Sequence, residues 1–494
     1  MRRFFLQLLF SLAALPSLLS SSTQTQASVP SSAEAMEEYV EEAKQNILQT
    51  VDELLAIPHE EKTFQTVMKP WDRLGNDPIE KFRTLTYLTD SDLPEKNDAL
   101  EAMDGLKSFV VETLFQNGEL YRSLLGLVKR VSQQNIPLTP YERYYLYCLL
   151  DGSEMVQEKL TRKEREEIIQ LKTYLAKHKI QPYIYLESSA PIRAPEAKFS
   201  VLTLNTCFVP GKFPFLFGGV SLPWQKRVGK LKEKILQASA DVVCLQEVYT
   251  EEASYALYEA LKDTYRFFYG AIGPRPLNFS LRAFGLPSGL FVASKVPIEN
   301  PQFTPFVKVG VPVNYGFFDF TLKSQSGRPL AHLYTTHLQA LDTEGFAEIR
   351  AEEFGEILKK MQKDVEKEGS NLPFFLCGDL NIPYGSKEPG RQIIEAYFYD
   401  AYNKEGSVVC ASNRTCTDYF SNYLLSKTKT LKEIDPNFQI LDYTLVLRSL
   451  PGAQPLAYSC RANAELLLMN SLDEPDQAIS DHHGLLVKLY PAPQ

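Results

Sequence analysis

The sequence predicts an α/β domain preceded by an all-helical domain, and three features of the chain predict this. Six short apolar runs between residues 201 and 482 each end on a side chain that can bind metal or phosphate, which is typical of buried strands whose ends carry a site. Apolar residues recur at helical spacing within residues 32–182. A stretch rich in Pro, Ser and Ala at 186–196 separates the two parts. We therefore expect a helical domain at 32–182, a linker at 183–198 and an α/β domain at 199–491.

The chain begins with the pattern of a signal peptide. Two arginines precede an apolar run at 4–19, and a Ser- and Thr-rich stretch then ends on Ala27. A positive start, an apolar centre and a small-residue cleavage site are typical of export signals. We therefore expect residues 1–27 to be a signal peptide and the protein to be exported, as a secreted or periplasmic protein. An uncleaved membrane anchor is the alternative, disfavoured because the run is short and contains Gln7 and Pro16.

The helical domain begins at Ser32, a residue type that suits an N-cap. Apolar residues then follow at helical spacing until Pro58 ends the pattern; they are Met36, Val40, Ala43, Ile47, Val51 and Leu54. Further helices are expected near 98–116, 120–133, 140–150 and 161–178. Partner binding, or covering of a catalytic cleft, is the interpretation that remains for this domain, and the sequence does not identify the partner.

The six apolar runs end on residues of a few chemical types. The runs lie at 201–205, 242–247, 333–337, 374–381, 440–443 and 479–482, and their polar ends are Asn205, Glu247, His337, Asp379, Asn381, Asp442, Asp481 and His482. Acidic oxygens suit a hard divalent cation such as Mg²⁺ or Mn²⁺. Imidazole and amide groups can donate to phosphate oxygens, and one histidine can act as a base. These residues therefore predict metal-assisted hydrolysis of a phosphate ester.

Each of these residues also has an ordinary structural interpretation when it is considered alone. The segment from Gly378 to Asn381 is typical of a turn after a strand. Asp481 and His482 could face water in a loop, and His483 beside them is expected to be a bystander. The functional interpretation depends on the six run ends occurring together and in this order.

His332 and His337 belong to the same predicted strand. Because they are five residues apart, the alternation of side chains along a strand places them on opposite faces. Only one of them can then face the site, and we choose His337 because it ends the strand. His332 is expected to be a structural or surface histidine.

The polar run ends and their neighbours resemble the endonuclease/exonuclease/phosphatase superfamily. The matching motifs are Asn205, Gln246-Glu247, Thr336-His337-Leu338, Gly378-Asp379-Leu380-Asn381, Asp442-Tyr443 and Ser480-Asp481-His482. The resemblance covers roughly residues 199–491 and implies a catalytic domain with a four-layer α/β sandwich, in which helices flank two mostly antiparallel sheets. Stretches at 287–298, 314–322 and 336–340 resemble the neutral sphingomyelinase branch, although Tyr315 stands where that branch usually carries lysine.

The resemblance implies a metal site beside a general base. Glu247 would hold a divalent metal, Mg²⁺ or Mn²⁺, with Asp481 close to it. Asn205 would contact metal-bound water or the substrate phosphate. His482 would act as the general base, and Asp442 would accept its other N–H and so fix the tautomer.

The same resemblance implies the groups that contact the substrate phosphate. His337 and Asn381 would donate to the non-bridging phosphate oxygens, and Asp379 would orient the nucleophile or assist the metal. The substrate would be a phospholipid or sphingolipid, most specifically sphingomyelin, cleaved to ceramide and choline phosphate. An aromatic loop at 208–224 could contact a membrane surface, or could instead cover one end of the sandwich.

The charge of the chain bears on the alternatives. A net charge of -9 over 494 residues disfavours nucleic acid as the substrate, because nucleic-acid enzymes usually carry a basic footprint. A nuclease or an inositol-phosphate phosphatase on the same fold nevertheless remains the alternative enzyme. A catalytically silent binding protein, in which the helical domain is the active part, is the third hypothesis.

The seven cysteines do not indicate a disulfide framework. Cys244 and Cys377 lie inside apolar runs, where a reduced thiol packs as a small hydrophobic group. Cys410 and Cys416 flank a polar loop and could form one small disulfide in an oxidising compartment.

Overall fold

The computed structural model of the protein describes most of the chain from residue 32 onward. The described residues are 32–68, 70–71, 74, 96–151, 156, 159–193, 195, 198–209, 223–274, 286–308, 313–324, 326–340, 345–369, 371–384, 386–400, 441–452, 456, 458–467, 469, 479–480 and 482–493. The predicted signal peptide and the cysteine pair Cys410 and Cys416 therefore lie outside them. The chain divides into two compact units, Met1–Pro182 with Pro274–Leu286, and Tyr183–Gly273 with Pro287–Gln494.

The described part of the first unit is helical, as the sequence predicts. Its helices are α1 (Ala33–Ala56), α2 (Lys96–Val110), α3 (Gly118–Gln134), α4 (Pro140–Asp151) and α5 (Arg162–Ala176), and a π-helical turn, Val111–Phe115, extends α2. The N-cap prediction for α1 is confirmed, because the Ser32 hydroxyl accepts from the Ala35 backbone N–H at 3.1 Å. The six apolar residues predicted for α1 are all buried. Among the described residues, no helix is long and apolar enough to cross a membrane.

The second unit contains two sheets. Sheet 1 has the order β1-β4-β5-β3-β2-β13-β12 and sheet 2 the order β10-β11-β9-β8-β7-β6. The strands are β1 (Ile184–Glu187), β2 (Phe199–Phe208), β3 (Val242–Val248), β4 (Phe267–Gly270), β5 (Phe291–Ser294), β6 (Ile298–Pro305), β7 (Gly316–Lys323), β8 (Pro329–His337), β9 (Phe374–Asp379), β10 (Phe398–Asp400), β11 (Asp442–Leu447), β12 (Tyr458–Leu467) and β13 (Gly484–Pro493). Each sheet has one parallel pair, β2 with β3 and β8 with β9, and all its other pairs are antiparallel.

Among the described residues of this unit, four helices accompany the sheets, namely α6 (Trp224–Ala238), α7 (Glu251–Leu261), α8 (Phe346–Glu368) and α9 (Pro389–Tyr397). Leu231 of α6 and Leu257 of α7 share one core cluster with Val243 of sheet 1. On sheet 2, the Tyr334 hydroxyl of β8 donates to Asp364 of α8. The two sheets meet face to face, since Phe199 of sheet 1 contacts Phe375 of sheet 2 with ring centroids 5.7 Å apart. The predicted four-layer sandwich of two mostly antiparallel sheets is therefore confirmed.

The segment that the sequence indicates as a linker contains regular structure. Residues 184–187 form β1, which pairs with β4 at the edge of sheet 1. Their exposure alternates from residue to residue, as expected of an edge strand with one face on the core. The Pro- and Ser-rich composition that suggests a linker begins only after this strand.

Cys244 and Cys377 are reduced and buried in β3 and β9, as expected. Their side chains contact each other by a hydrogen bond that, together with burial, holds the pKa of Cys244 well above its usual range. The Cys244 thiol therefore stays protonated, and both cysteines pack as small apolar groups between the two sheets.

Candidate active site

The polar strand ends from both sheets meet at one edge of the sandwich. In sheet 2, the parallel register sets His337 of β8 beside Asp379 of β9. The antiparallel strand β11 begins with Asp442 directly opposite Asp379. In sheet 1, Asn205 of β2 lies beside the residue that precedes Glu247 of β3. Because β2 runs parallel to β3, and β8 runs parallel to β9, the carboxyl ends of each pair emerge together, and the polar residues at these ends lie close to one another.

Asp379 lies at the centre of the cluster. Its Oδ2 accepts from the Asn205 Nδ2 at 3.0 Å and lies 3.7 Å from the Nε2 atoms of both His337 and His482. Its Oδ1 accepts from the Asn381 backbone N–H at 2.9 Å. One buried carboxylate therefore joins groups from both sheets.

His482 and Asp442 form the pair expected of an oriented base. The His482 Nδ1 lies 2.8 Å from the Asp442 Oδ2, and both side chains are buried. The loop that carries His482 is fixed by Ser480, whose hydroxyl accepts from the His482 backbone N–H and donates to the Asn205 carbonyl at 2.6 Å. A carboxylate on one ring nitrogen places the proton there and leaves the other nitrogen, which faces Asp379, as an acceptor. The role of His482 as a base stays a prediction.

Asn205 connects two carboxylates across the site. Its Nδ2 donates to the Glu247 Oε1 and to the Asp379 Oδ2, each at 3.0 Å. Its Oδ1 accepts from the Cys207 backbone N–H at 3.0 Å. The carboxamide is therefore oriented by its neighbours, and it holds two acidic groups close together that would otherwise repel each other.

His337 lies in a dry environment. It is 1 % exposed, and its Nδ1 has no hydrogen-bond partner among the described residues. Burial lowers the pKa of His337 to about 4, and the carboxylate of Asp379 offsets this only in part. The ring is therefore neutral at pH 7 and offers a single N–H to a ligand.

Two non-glycine residues of the site have left-handed backbone conformations. These are Glu247 with φ 61° and Asn381 with φ 50°. Such conformations are costly for L-residues and cluster at functional sites. Between the ends of β8 and β9, Gly378 has φ 145°, and a Cβ atom there would lie 2.0 Å from the Thr336 carbonyl oxygen. Only glycine therefore allows the strands that carry His337 and Asp379 to lie this close.

The segment after His337 is held from two sides. The Asn381 Nδ2 donates to the Leu338 carbonyl at 3.0 Å, so one N–H of this amide is used in a contact with the backbone. On the other side, the Gln339 backbone N–H donates to the Glu353 Oε2 of α8 at 2.8 Å. Burial raises the pKa of Glu353 well above its usual range. We still expect Asn381 to contact substrate, since its second N–H is not used in the contact with Leu338.

The donor set at this edge fits a divalent metal ion. Ligand atoms of Asp379, Asp442 and His482 all lie within 4.8 Å of one another, and Glu247 joins them through Asn205. Carboxylate oxygens are the donors that Mg²⁺ and Mn²⁺ prefer. Asp481, which was predicted to lie near the metal, falls outside the described residues.

A second group of potential ligands lies elsewhere in the same unit. Asp319, His332 and Asp364 also bring three ligand atoms within 4.8 Å of one another. However, the Lys360 Nζ lies 3.3 Å from Asp319 and 2.5 Å from Asp364 and already provides the positive charge there. We therefore interpret this group as a buried ion cluster. His332 belongs to this cluster and is therefore a structural histidine. It is buried on the face of β8 opposite His337, as expected.

His483 is also structural, in agreement with the prediction that it is a bystander. It is buried, and its Nδ1 lies 3.3 Å from the Met469 backbone N–H. Phe208 and Trp224, the two ends of the predicted aromatic loop, pack against each other in the core with centroids 5.8 Å apart. The intervening residues 210–222 lie outside the described part of the chain.

Two tyrosines of the site were not predicted. Tyr315 is buried, and its ring contacts His337 edge to face with centroids 5.0 Å apart. It also shares a hydrogen bond with Tyr249. Burial and the carboxylates of Glu247 and Glu353 hold the pKa of Tyr315 well above its usual range. Tyr249 follows Glu247 by two residues and lies just beyond the end of β3.

The two-sheet sandwich carries carboxylates, amides and imidazoles at one edge, and such groups can bind a divalent metal ion and phosphate oxygens. Residues 203–420 match the Endonuclease/Exonuclease/phosphatase family, so the chain carries a domain of that family. This agrees with the superfamily resemblance found in the sequence.

Known proteins similar to the chain include sphingomyelinases. Sphingomyelin phosphodiesterase 5 of Danio rerio is 30% identical over 165 residues, and this match spans 29% of the chain and 29% of the relative. Sphingomyelinase C from Streptomyces griseocarneus is 18% identical, with 59% of this chain and 99% of that chain covered and a TM-score of 0.40. A Staphylococcus aureus beta toxin variant with bound magnesium ions is 18% identical, with 59% and 99% covered and a TM-score of 0.41.

Proposed function

We propose that the protein is an exported, metal-dependent phosphodiesterase that hydrolyses a phospholipid head group, with sphingomyelin as the substrate and ceramide and choline phosphate as the products. The observation that carries the proposal is the 2.8 Å pair of His482 and Asp442, with the His482 Nε2 3.7 Å from the Asp379 Oδ2. The match to a sphingomyelin phosphodiesterase supports the choice of substrate.

Glu247 and Asp379 are the carboxylates that would hold Mg²⁺ or Mn²⁺, with Asn205 between them and Asp481 close by. When bound, the cation would neutralise charge on the phosphate and so favour attack at phosphorus. Asp442 is engaged by His482 and serves primarily to orient that ring.

The reaction needs one proton acceptor and donors for the phosphate oxygens. His482 takes a proton at Nε2 from the attacking water, while Asp442 stabilises the resulting imidazolium through Nδ1. The water oxygen bonds to phosphorus, the bond from phosphorus to the ceramide oxygen breaks, and the ceramide oxygen takes up a proton. His337, which is neutral, donates one N–H to a non-bridging oxygen, and Asn381 donates a second.

Contact with a membrane surface belongs to the same proposal. A lipid substrate resides in a bilayer, and residues 210–222 include Phe213, Phe215 and Phe217 close in sequence to the site strand β2. Aromatic side chains are favoured at the membrane interface. The partner of the helical domain is not identified by this proposal.

The test is release of choline phosphate from sphingomyelin-containing liposomes by the chain without residues 1–27, with Mg²⁺, with Mn²⁺ and with chelator. Glu247→Ala and His482→Ala should abolish metal-dependent release, whereas His178→Ala in the helical unit is the matched control and should not. A metal-dependent cleavage of DNA, RNA or an inositol phosphate instead would move the substrate to the alternative class. Absence of cleavage of all of these substrates would favour the binding-protein hypothesis.

A further inference from the structure

Two buried tyrosines connect the predicted metal ligand Glu247 with the phosphate-facing His337. Tyr249 follows β3 in sheet 1, and Tyr315 precedes β7 in sheet 2, so their hydroxyl hydrogen bond crosses from one sheet to the other. On the far side, the Tyr315 ring contacts the His337 ring with centroids 5.0 Å apart. Both tyrosines are buried, at 6% and 3% exposure.

On the Tyr249 side of this connection, Gly289 lies close to both the Tyr249 ring and the Glu247 backbone. A Cβ atom on Gly289 would lie 2.7 Å from the Tyr249 ring and 3.1 Å from the Glu247 Cα. The Gly289 carbonyl also accepts from the Val248 backbone N–H at 2.8 Å. Glu247 itself has a left-handed backbone, which persists only where the surroundings fix it. The position of Tyr249 therefore bears directly on that of Glu247.

We propose that the Tyr249–Tyr315 hydroxyl pair is a positioning element that fixes Glu247 relative to His337 and thereby strengthens divalent metal binding at Glu247. The inference rests on the proposed function for the metal, and it goes beyond it by adding two positioning residues to the site. A buried tyrosine hydroxyl requires a polar partner, and here each tyrosine provides one for the other. Because the two residues adjoin strands of different sheets, their bond also fixes the spacing of the sheets at the site.

The two tyrosines should act as a unit. Tyr315→Phe keeps the ring against His337 and removes only the hydroxyl, and Tyr249→Phe removes the other half of the same bond. A displacement of about 1 Å at a site can cost roughly 100-fold in rate. Removal of one hydroxyl should displace Glu247 by less than this, so we expect metal binding to weaken by roughly 5- to 10-fold. The double variant should be no weaker than either single variant, because the bond can be lost only once.

The experiment is a calorimetric titration of Mg²⁺ into the full chain and into Tyr315→Phe, Tyr249→Phe and the double variant, with thermal unfolding of each protein. Tyr265→Phe is the matched control, because Tyr265 is also buried and its hydroxyl donates to the Ala240 carbonyl at 3.0 Å, within the core of sheet 1. We expect weaker Mg²⁺ binding in the three site variants, unchanged binding in the control, and similar Tm shifts for the single variants.

Two results would overturn the inference while leaving the proposed function intact. The first is wild-type Mg²⁺ affinity in Tyr315→Phe, and the second is a double variant whose loss equals the product of the two single losses. If the wild-type chain itself does not bind Mg²⁺ or Mn²⁺, the metal dependence in the proposed function fails and the inference fails with it. The titration uses no substrate, so an error about sphingomyelin would not affect it.

Discussion

The two histidines of β8 have the same side chain, the same strand and nearly the same burial, yet opposite electrostatic environments. The His332 Nε2 lies 3.2 Å from Asp319 and its Nδ1 lies 3.1 Å from Glu368. Burial lowers the pKa of His332, but these hydrogen bonds outweigh burial and raise it to about 8. His337 has a carboxylate only at 3.7 Å, and its pKa falls to about 4. Burial alone therefore does not decide the charge of a histidine; the number and distance of its carboxylate partners do.

The difference suggests a division of labour along the strand. On the His332 side, charges pair within the protein and hold α8 on the sheet. On the His337 side, the groups are neutral or are carboxylates directed at the site, so they remain available to a ligand. Substitutions on the first side should change stability, and substitutions on the second should change activity.

The largest expected effect on stability comes from removing a carboxylate on the His332 side. Asp319→Ala should lower the free energy of unfolding by about 3–5 kcal/mol, because it leaves the buried His332 and the half-buried Lys360 charged and without this partner. Chemical denaturation would measure the loss, and activity per folded molecule should be unchanged. Asp263→Ala removes an exposed carboxylate of the same unit as a control. A stability equal to that of the control would contradict the charged-cluster interpretation.

Substitution on the His337 side should change activity rather than stability. His337→Gln should reduce phosphodiesterase activity by roughly 100- to 1000-fold, as expected on loss of one donor to the transition state. Its free energy of unfolding should stay within about 1 kcal/mol of wild type, because the replaced ring is neutral. His332→Gln is the matched substitution and should lose stability while it keeps activity. Equal effects of both variants on activity would show that the two sides are not independent.

His337 should make the metal-free protein sensitive to acid. An unfolded chain protonates this histidine below about pH 6.5, whereas the folded chain, with a pKa of about 4, does not. Stability should therefore fall by about 3 kcal/mol between pH 6.5 and 4 from this residue, since the unfolded state binds the extra proton. Denaturation midpoints in chelator over this range would measure it. His337→Gln should flatten the slope, and an unchanged slope would refute the assignment.

His332 should give a smaller dependence of the opposite sign. Its contribution to stability is fully present below pH 6.5 and is lost as the pH rises through its folded pKa of about 8, because the folded state then releases the proton that it bound more tightly. The loss should be about 2 kcal/mol, from the shift of the pKa. The same midpoints between pH 6.5 and 8.5, for wild type and His332→Gln, would detect it. A wild-type slope that the variant retains would assign the effect to another group.

The sequence predicts the site well where a single strand determines the outcome. Asn205, His337 and Asp379 each end a buried strand, and the geometry of parallel pairs brings such ends together whatever the details of packing. The opposite faces of His332 and His337 follow from strand alternation in the same way.

The sequence predicts less where contacts depend on how the layers stack. Tyr249 and Tyr315 have the composition of core residues, and only the spacing of the two sheets makes them partners. Glu353 and Arg350 lie on α8, where charged residues are expected to face water, yet both are buried beside the end of β8. Long-range packing, which no local pattern encodes, determines these positions.

The buried contact between Gln339 and Glu353 has a consequence for exchange of backbone hydrogen with solvent deuterium. Gln339 lies beyond the end of β8, where an amide would ordinarily exchange quickly. Its N–H is instead bound to a side chain that is 0% exposed, and its carbonyl accepts from Arg350 at 3.3 Å. This amide should therefore exchange only when α8 separates from the sheet, at a rate close to that of the neighbouring strand amides. In kinetic terms, the segment that follows His337 belongs to the slowest-opening part of the domain rather than to its loops.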